Sequence, residues 1–203
     1  SVKVVSPLVV QHQLTVIPYP ESGELEVTDI LMLPEAGNNG DPVTIYLNSA
    51  FQLQYANQPV EPQSVSGGVS QYQLKPDNQR TLTLSYKGKI ASTRDCSWLV
   101  EACVRLDEGG VFLGGNSHWY PQIEGAQHRF NMELELPDDW VGLSQGEQTP
   151  KGWQEQQLQR TIYLLAGKFK VYQSAEKAGQ PRAMVYLQSD DPELAERYLG
   201  AIT

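Results

Sequence analysis

The chain has 203 residues, with 15 Lys+Arg against 24 Asp+Glu for a net charge of −9, and 40% of it is apolar. That length suffices for one large domain or two small ones, and the apolar and aromatic content excludes a disordered chain. An acidic balance without a basic run argues against a nucleic-acid or anionic-membrane surface, and no stretch reaches the roughly 18 apolar residues of a membrane span.

Period-2 alternation runs through nearly the whole sequence, and each such run predicts a half-buried strand. In chain order the runs are Leu8–Ile17, Glu24–Leu33, Val43–Asn48, Phe51–Tyr55, Val69–Leu74, Thr81–Tyr86 and Ser97–Leu106. Phe130–Leu136, Thr161–Leu165, Lys168–Gln173 and Arg182–Leu187 follow. Turn chemistry separates them, as in Pro20-Glu-Ser-Gly23, Pro76-Asp-Asn78 and Glu108-Gly-Gly110. Many short strands of this kind predict an all-β fold, an antiparallel β-sandwich without the strand–helix alternation of a parallel sheet. Glutamines share the period: Gln11 and Gln13, Gln52 and Gln54, and Gln71 and Gln73 take the water-facing positions. Ser144–Gln157, rich in Gly and Gln, reads as a long loop.

The end of the chain switches to helical spacing. Asp190 or Asp191 can cap, Pro192 needs no N–H, Glu193 can pair with Arg197, and Leu194, Tyr198 and Ile202 form an apolar stripe. The stripe ends at Thr203 without a cap, which predicts that the sequence stops just as an α-containing domain begins.

Residues capable of chemistry read mostly as turns, caps and strand faces. His12, His118 and His128 make no HExxH motif and lack metal-ligand spacing, so they are expected on strand faces or loops rather than as a zinc triad. Ser117 has no Gly-x-Ser-x-Gly elbow, and the glycine pairs at 67–68, 109–110 and 114–115 lack the phosphate-loop pattern. Asp138-Asp139 and Asp190-Asp191 sit at element ends, where turns and caps account for them. Cys96 and Cys103 would face opposite sides of one continuous strand and are expected as small buried hydrophobes, although a bulge or turn would permit a bridge. Phe112, Trp119, Tyr120 and Trp140 crowd into about thirty residues. They read as an aromatic corner of the core. The alternative is a sugar-stacking platform that exposes Trp98, Trp119 and Trp153 on one face. A self-contained hydrolase would need Ser117 or paired carboxylates to meet a base in a cleft.

The ordered landmarks resemble the N-terminal domain of M1-family zinc aminopeptidases, and more closely their bacterial M1-like branch. His12, Leu14, Val16, Gly23, Leu25, Val27, Asp29 and Pro34 match the first strand pair. Tyr86-Lys-Gly88-Lys-Ile90, Gly110-Val-Phe-Leu113, Trp119-Tyr-Pro121 and Phe130 to Pro137 continue the series, followed by Trp140, Leu165 to Phe169 and Tyr186-Leu187. The resemblance covers essentially the whole chain. It implies a saddle-shaped β-sandwich over residues 1–188, with 189–203 as the helical start of an absent catalytic domain. No catalytic residue, cofactor or metal is expected here; the zinc belongs to the absent domain with its HExxH and downstream Glu. The implied partners are that catalytic domain, in the same chain, and a peptide substrate of the full-length protein. Members of the family lend a Gln or Glu from this domain to the substrate's free amine. Here the corresponding region offers Asp107, Glu108 and Asn116, which with Trp119 and Tyr120 are the candidate cleft-lining residues. Trp119-Tyr-Pro-Gln122 departs from the more usual Phe-Pro-Cys-Asp, which puts aminopeptidase specificity in question. A periplasmic or membrane-associated parent is expected over a cytoplasmic one. The rival expectation is a stand-alone carbohydrate- or protein-binding module.

Overall fold

The structure is a computed structural model that describes residues 7–34, 41–93, 101–180, 182–187 and 191–202. The first half contains β1 (Leu8–Tyr19), β2 (Glu24–Met32), β3 (Val43–Asn48), β4 (Gln52–Ala56), β5 (Glu61–Ser66), β6 (Val69–Leu74) and β7 (Thr81–Lys89). Then come β8 (Val104–Asp107), β9 (Gly110–Leu113), β10 (Ala126–Leu134), β11 (Val141–Leu143), β12 (Glu147–Thr149) and β13 (Gly152–Gln159). β14 (Leu164–Gly167), β15 (Lys170–Gln173), β16 (Met184–Leu187) and the helix α1 (Pro192–Ile202) complete it. A seven-stranded sheet ordered β12-β13-β10-β1-β2-β7-β4 forms one layer. Two smaller sheets, β11-β14-β9-β8 and β3-β6-β5, contribute buried residues to the same core, and β15-β16 is a separate hairpin. The all-β, sandwich-like expectation holds.

The alternation dictates the layering. Val10, Leu14 and Val16 on β1, Leu25, Val27 and Leu31 on β2, and Leu82, Leu84 and Tyr86 on β7 all face inward and are fully or almost fully buried. Their neighbours Gln11, Gln13, Thr28 and Ser85 stay partly exposed, with Thr28 and Ser85 hydrogen-bonded across the strands at 2.9 Å. Gln52 and Gln54 are exposed, and neither Gln71 nor Gln73 is buried. Neutral amides thus wet the outer face with few charges.

Three expectations need correction. β1 pairs with β10 in parallel, from Leu8 opposite Ala126 to Val16 opposite Leu134. Periodicity reports which face a side chain takes and says nothing of direction, and no hairpin joins strands so far apart in sequence. Within the expected loop Ser144–Gln157, β12 and β13 form a hairpin along the sheet edge. Gln-rich strands carry little intrinsic β preference; Trp153, 7% exposed and donating from Nε1 to the Gly142 carbonyl at 3.0 Å, anchors this one to the core. Cys103 is fully buried and disulfide-bonded rather than a free hydrophobe. The chain's other cysteine, Cys96, lies outside the described residues.

At the C-terminus Asp191 caps the helix, its Oδ1 accepting the Leu194 N–H at 3.0 Å, with Pro192 in the first turn. Asp190 lies outside the described residues. α1 packs on β16 and β15, with Ala195 buried and Leu194 and Leu199 half-buried.

Gly88 sits where the turn before β4 crosses β7. A Cβ there would meet the Ala50 carbonyl oxygen at 2.1 Å, a backbone atom that cannot swing aside. Gly200 on α1 has open space around its missing Cβ. Gly88→Ala is therefore expected to cost about 1–3 kcal/mol, and Gly200→Ala to add up to about 1 kcal/mol, as read from urea midpoints. A neutral Gly88→Ala would contradict this packing.

Candidate functional site

Three polar residues occupy inward-facing positions of the central strands, where the pattern otherwise places only apolar side chains. His12 lies between Val10 and Leu14 on β1, Asp29 between Val27 and Leu31 on β2, and His128 two residues before Phe130 on β10. The register sets His128 opposite Val10 and Asp29 opposite Leu14, which brings the three side chains together. They are 0%, 0% and 1% exposed. The Nδ1–H of His12 donates to Oδ2 of Asp29 at 2.6 Å, and Nε2 of His12 lies 2.8 Å from Nδ1 of His128. Without such pairing each group would carry a desolvation penalty of several kcal/mol. Burial, together with the neighbouring His12 charge, pushes His128 down to about 3 from its ordinary 6.5.

Tyr120 closes this cluster, its ring edge-on to His12 at 5.8 Å and to His128 at 5.4 Å. The loop that carries it is held from three sides. Trp119 donates from Nε1 to the Ile162 carbonyl at 2.9 Å, and the Tyr86 hydroxyl donates to the Trp119 carbonyl at 2.9 Å. The Tyr120 hydroxyl donates to the Gly115 carbonyl and accepts the Ile162 N–H, both at 3.1 Å. Burial raises both phenols, Tyr86 and Tyr120, well above their ordinary value. Backbone bonds tie Gln122 to Tyr46, and His118 to Asn48, on β3.

Beside this corner a cavity of about 430 Å³ is lined by Tyr46, His118, Gln122, Glu124, His128 and Arg160. His118, at a left-handed φ of 58°, is half-buried, and desolvation lowers its pKa. Gln122 donates from Nε2 to the Tyr120 hydroxyl at 3.1 Å and to the Gly115 carbonyl at 3.5 Å. Its Oε1 is buried without a partner.

The five candidate cleft residues do not converge. Asp107 and Glu108 sit on the exposed β8–β9 turn, where the Arg105 guanidinium holds Asp107 below the usual carboxylate range. Glu108 lines a cleft of about 630 Å³ with Tyr19, Trp140 and Lys168, and none of the other four candidates lines it. Asn116 is exposed and donates to the Glu101 carboxylate. Trp119 and Tyr120 are fully buried in the core. Trp119 and Trp153 are not a sugar-stacking platform, because both are buried; Trp98 lies outside the described residues. The hydroxyl of Ser117, 6% exposed, donates to the Gly114 carbonyl at 2.7 Å.

His12 and His128 stand on strand faces, as expected, but those faces are the inward ones, so the two side chains meet inside the core. Their signal in the sequence was an imidazole and a carboxylate at core-facing positions of adjacent strands. The partnership with His128 needed the parallel register. The described residues do not fit zinc: no three His, Cys, Asp or Glu side chains among them group as ligands, and His12 has both ring nitrogens in hydrogen bonds.

No family model matches the chain, and no curated protein matches its sequence. Solved structures share its fold. An M1 zinc metallopeptidase from Deinococcus radiodurans, in a form bound to a Tyr-Ser-Ala substrate, superposes with a TM-score of 0.63 at 15% identity, covering 88% of this chain and 46% of that one. An aminopeptidase N family protein from Idiomarina loihiensis gives 0.59 at 12%, covering 93% and 35%. Leukotriene A4 hydrolase from Saccharomyces cerevisiae gives 0.58 at 16%, covering 96% and 33%. This chain therefore spans less than half the length of each.

The depressed His128 makes stability pH-dependent. Unfolded, it takes a proton near 6.5; folded, only near 3, so in between the unfolded chain holds the extra proton. Stability is present above about 6.5 and is lost as pH falls, at up to roughly 1.4 kcal/mol per pH unit. His128→Gln is expected to be less stable at neutral pH yet to show a shallower loss in acid, measured by urea unfolding across that window. An unchanged slope would contradict the assignment.

Proposed function

We propose that this chain is the non-catalytic N-terminal β domain of an M1-like zinc metallopeptidase of aminopeptidase type. Residues 1–188 would form the domain and 189–203 would open the catalytic domain. The observation that carries this reading is the lopsided match: nearly all of this chain corresponds to a minor part of each peptidase. At such low identity the likeness itself establishes a fold, and function follows from the place that fold takes in larger enzymes.

In this role the domain packs against the catalytic domain and walls one side of the substrate cleft. Its contribution is to exclude water and limit access to chain ends. Zinc, held by the catalytic domain, would supply the Lewis acid and the activated water. The exposed turns that carry Asp107 and Glu108, and separately Asn116, would be the parts of this domain open to a peptide substrate. The disulfide at Cys103 supports a periplasmic or otherwise oxidising location, since cytosolic thiols are kept reduced.

The purified chain is expected to hold no stoichiometric zinc by elemental analysis and to leave aminoacyl reporter substrates uncleaved. Turnover by this chain alone, abolished by a chelator, would defeat the proposal.

A further inference from the structure

The cleft of about 630 Å³ beside Glu108 shares no lining residue with the histidine cluster or its cavity. Its lining comes from the end of β1 and the turn after it, the β8–β9 turn, the turn before β11, and Lys168 after β14. Pro18, Pro20 and Pro137 give its wall rigid rings, and Tyr19 and Trp140 give it aromatic ones.

Both aromatic residues are set in place before anything binds. The Tyr19 hydroxyl donates to the Glu26 carboxylate at 3.0 Å, and Nζ of Lys87 stands 4.5 Å from the ring centroid. Tyr19 is nonetheless 37% exposed. The backbone N–H of Trp140 donates to the Pro137 carbonyl at 3.1 Å and closes a tight turn, with Asp139 at a left-handed φ of 65°. Among the described tryptophans, Trp119 and Trp153 give their indole N–H to backbone carbonyls. Trp140 is half-buried, and its indole N–H meets no acceptor among the described residues without being sealed from water.

These features select the shape of a ligand. Three prolines offer no N–H, so an added β-strand would find little to pair with. A helix keeps its carbonyls bonded internally, whereas polyproline II leaves them open and presents stiff rings. Aromatic-lined grooves take such preformed segments at small entropic cost. Charge selects the sequence. Four exposed carboxylates, Glu21 and Glu108 on the lining and Asp138 and Asp139 in the adjoining turn, outnumber the lining's Lys168. A neutral sugar would leave that excess unused.

We propose that this cleft docks a proline-rich segment of a partner protein, in the polyproline II form and carrying a basic residue. Its rings pack on Tyr19 and Trp140, one of its carbonyls accepts the Trp140 indole N–H, and its Arg or Lys reaches Glu21 and Glu108. The segment is held and not cleaved, so this role is independent of the zinc chemistry of the parent.

Fluorescence anisotropy of the chain with a labelled peptide of about ten prolines interrupted by one arginine tests this. Saturable binding is expected, at least roughly tenfold tighter than for the same peptide with glutamate in place of arginine. A flexible Gly-Ser peptide carrying the arginine is expected to bind more weakly by a similar factor, because it lacks the preformed shape. Joint Glu21→Lys and Glu108→Lys, both on exposed turns, is expected to reverse the preference for arginine over glutamate. Trp140→Phe keeps a ring, loses the N–H, and is expected to weaken binding several-fold; should it not fold, the charge-reversed variant decides. The proposal is overturned by no saturable binding, by equal binding of the proline-rich and Gly-Ser peptides, or by displacement of the peptide with maltohexaose. An unchanged preference in the charge-reversed chain, or full affinity in a folded Trp140→Phe, overturns it equally.

Discussion

The parallel pairing of β1 with β10 holds this fold together. On one side of it lie β2, β7 and β4, and on the other lie β13 and β12, each joined to its neighbour in antiparallel fashion. Without it the seven-stranded sheet would part into two pieces, each with an open edge. No turn sets the direction or register of this pair, so side chains must. A slip of one residue would turn His12, Leu14 and Val16 outward and separate the two imidazoles, at a cost no alternative pairing offsets. The buried Asp29–His12–His128 chain therefore specifies the sheet as much as it stabilises it.

That constraint extends to the surface through Tyr120. Its ring packs on both histidines, and its hydroxyl joins the Gly115 carbonyl, the Ile162 N–H and the Gln122 amide. Trp119 and Tyr86 brace the same loop, and backbone bonds fasten it to β3. A core polar cluster, an aromatic corner and a cavity are thus one connected structure. The side chains that bound the cavity inherit their positions from the register of the central strands.

Much of the layering was legible in the sequence because burial leaves a period of two. The inward faces of β1, β2 and β7 and the glutamine-lined outer face follow from it directly. So does the Asp191 cap, whose chemistry is local. What could not be read were the long-range relations. The parallel direction of β1 and β10 leaves no mark on either strand. The β12–β13 edge rests on one buried Trp153 rather than on β preference. The meeting of His12 with His128 depends on that parallel register, so two histidines far apart in sequence looked unrelated. The candidate cleft residues were named from the order of landmarks, which fixes a stretch of chain without fixing which side chains reach solvent. Hence Trp119 and Tyr120 belong to the core, while Asp107, Glu108 and Asn116 remain on outer turns.

The fold is shared with part of several larger metallopeptidases. His12 joins Asp29 to His128 in the core, while Oδ1 of Asp29 stays without a partner, and no three His, Cys, Asp or Glu among the described residues group as metal ligands. The most direct test is to read the coding sequence that follows Thr203. A His-Glu-x-x-His motif within about the next hundred residues, with a further Glu downstream, is the expected result. An uninterrupted reading frame of that length with no such motif, or a stop codon directly after Thr203, would contradict the proposal that this chain is part of an M1-like metallopeptidase.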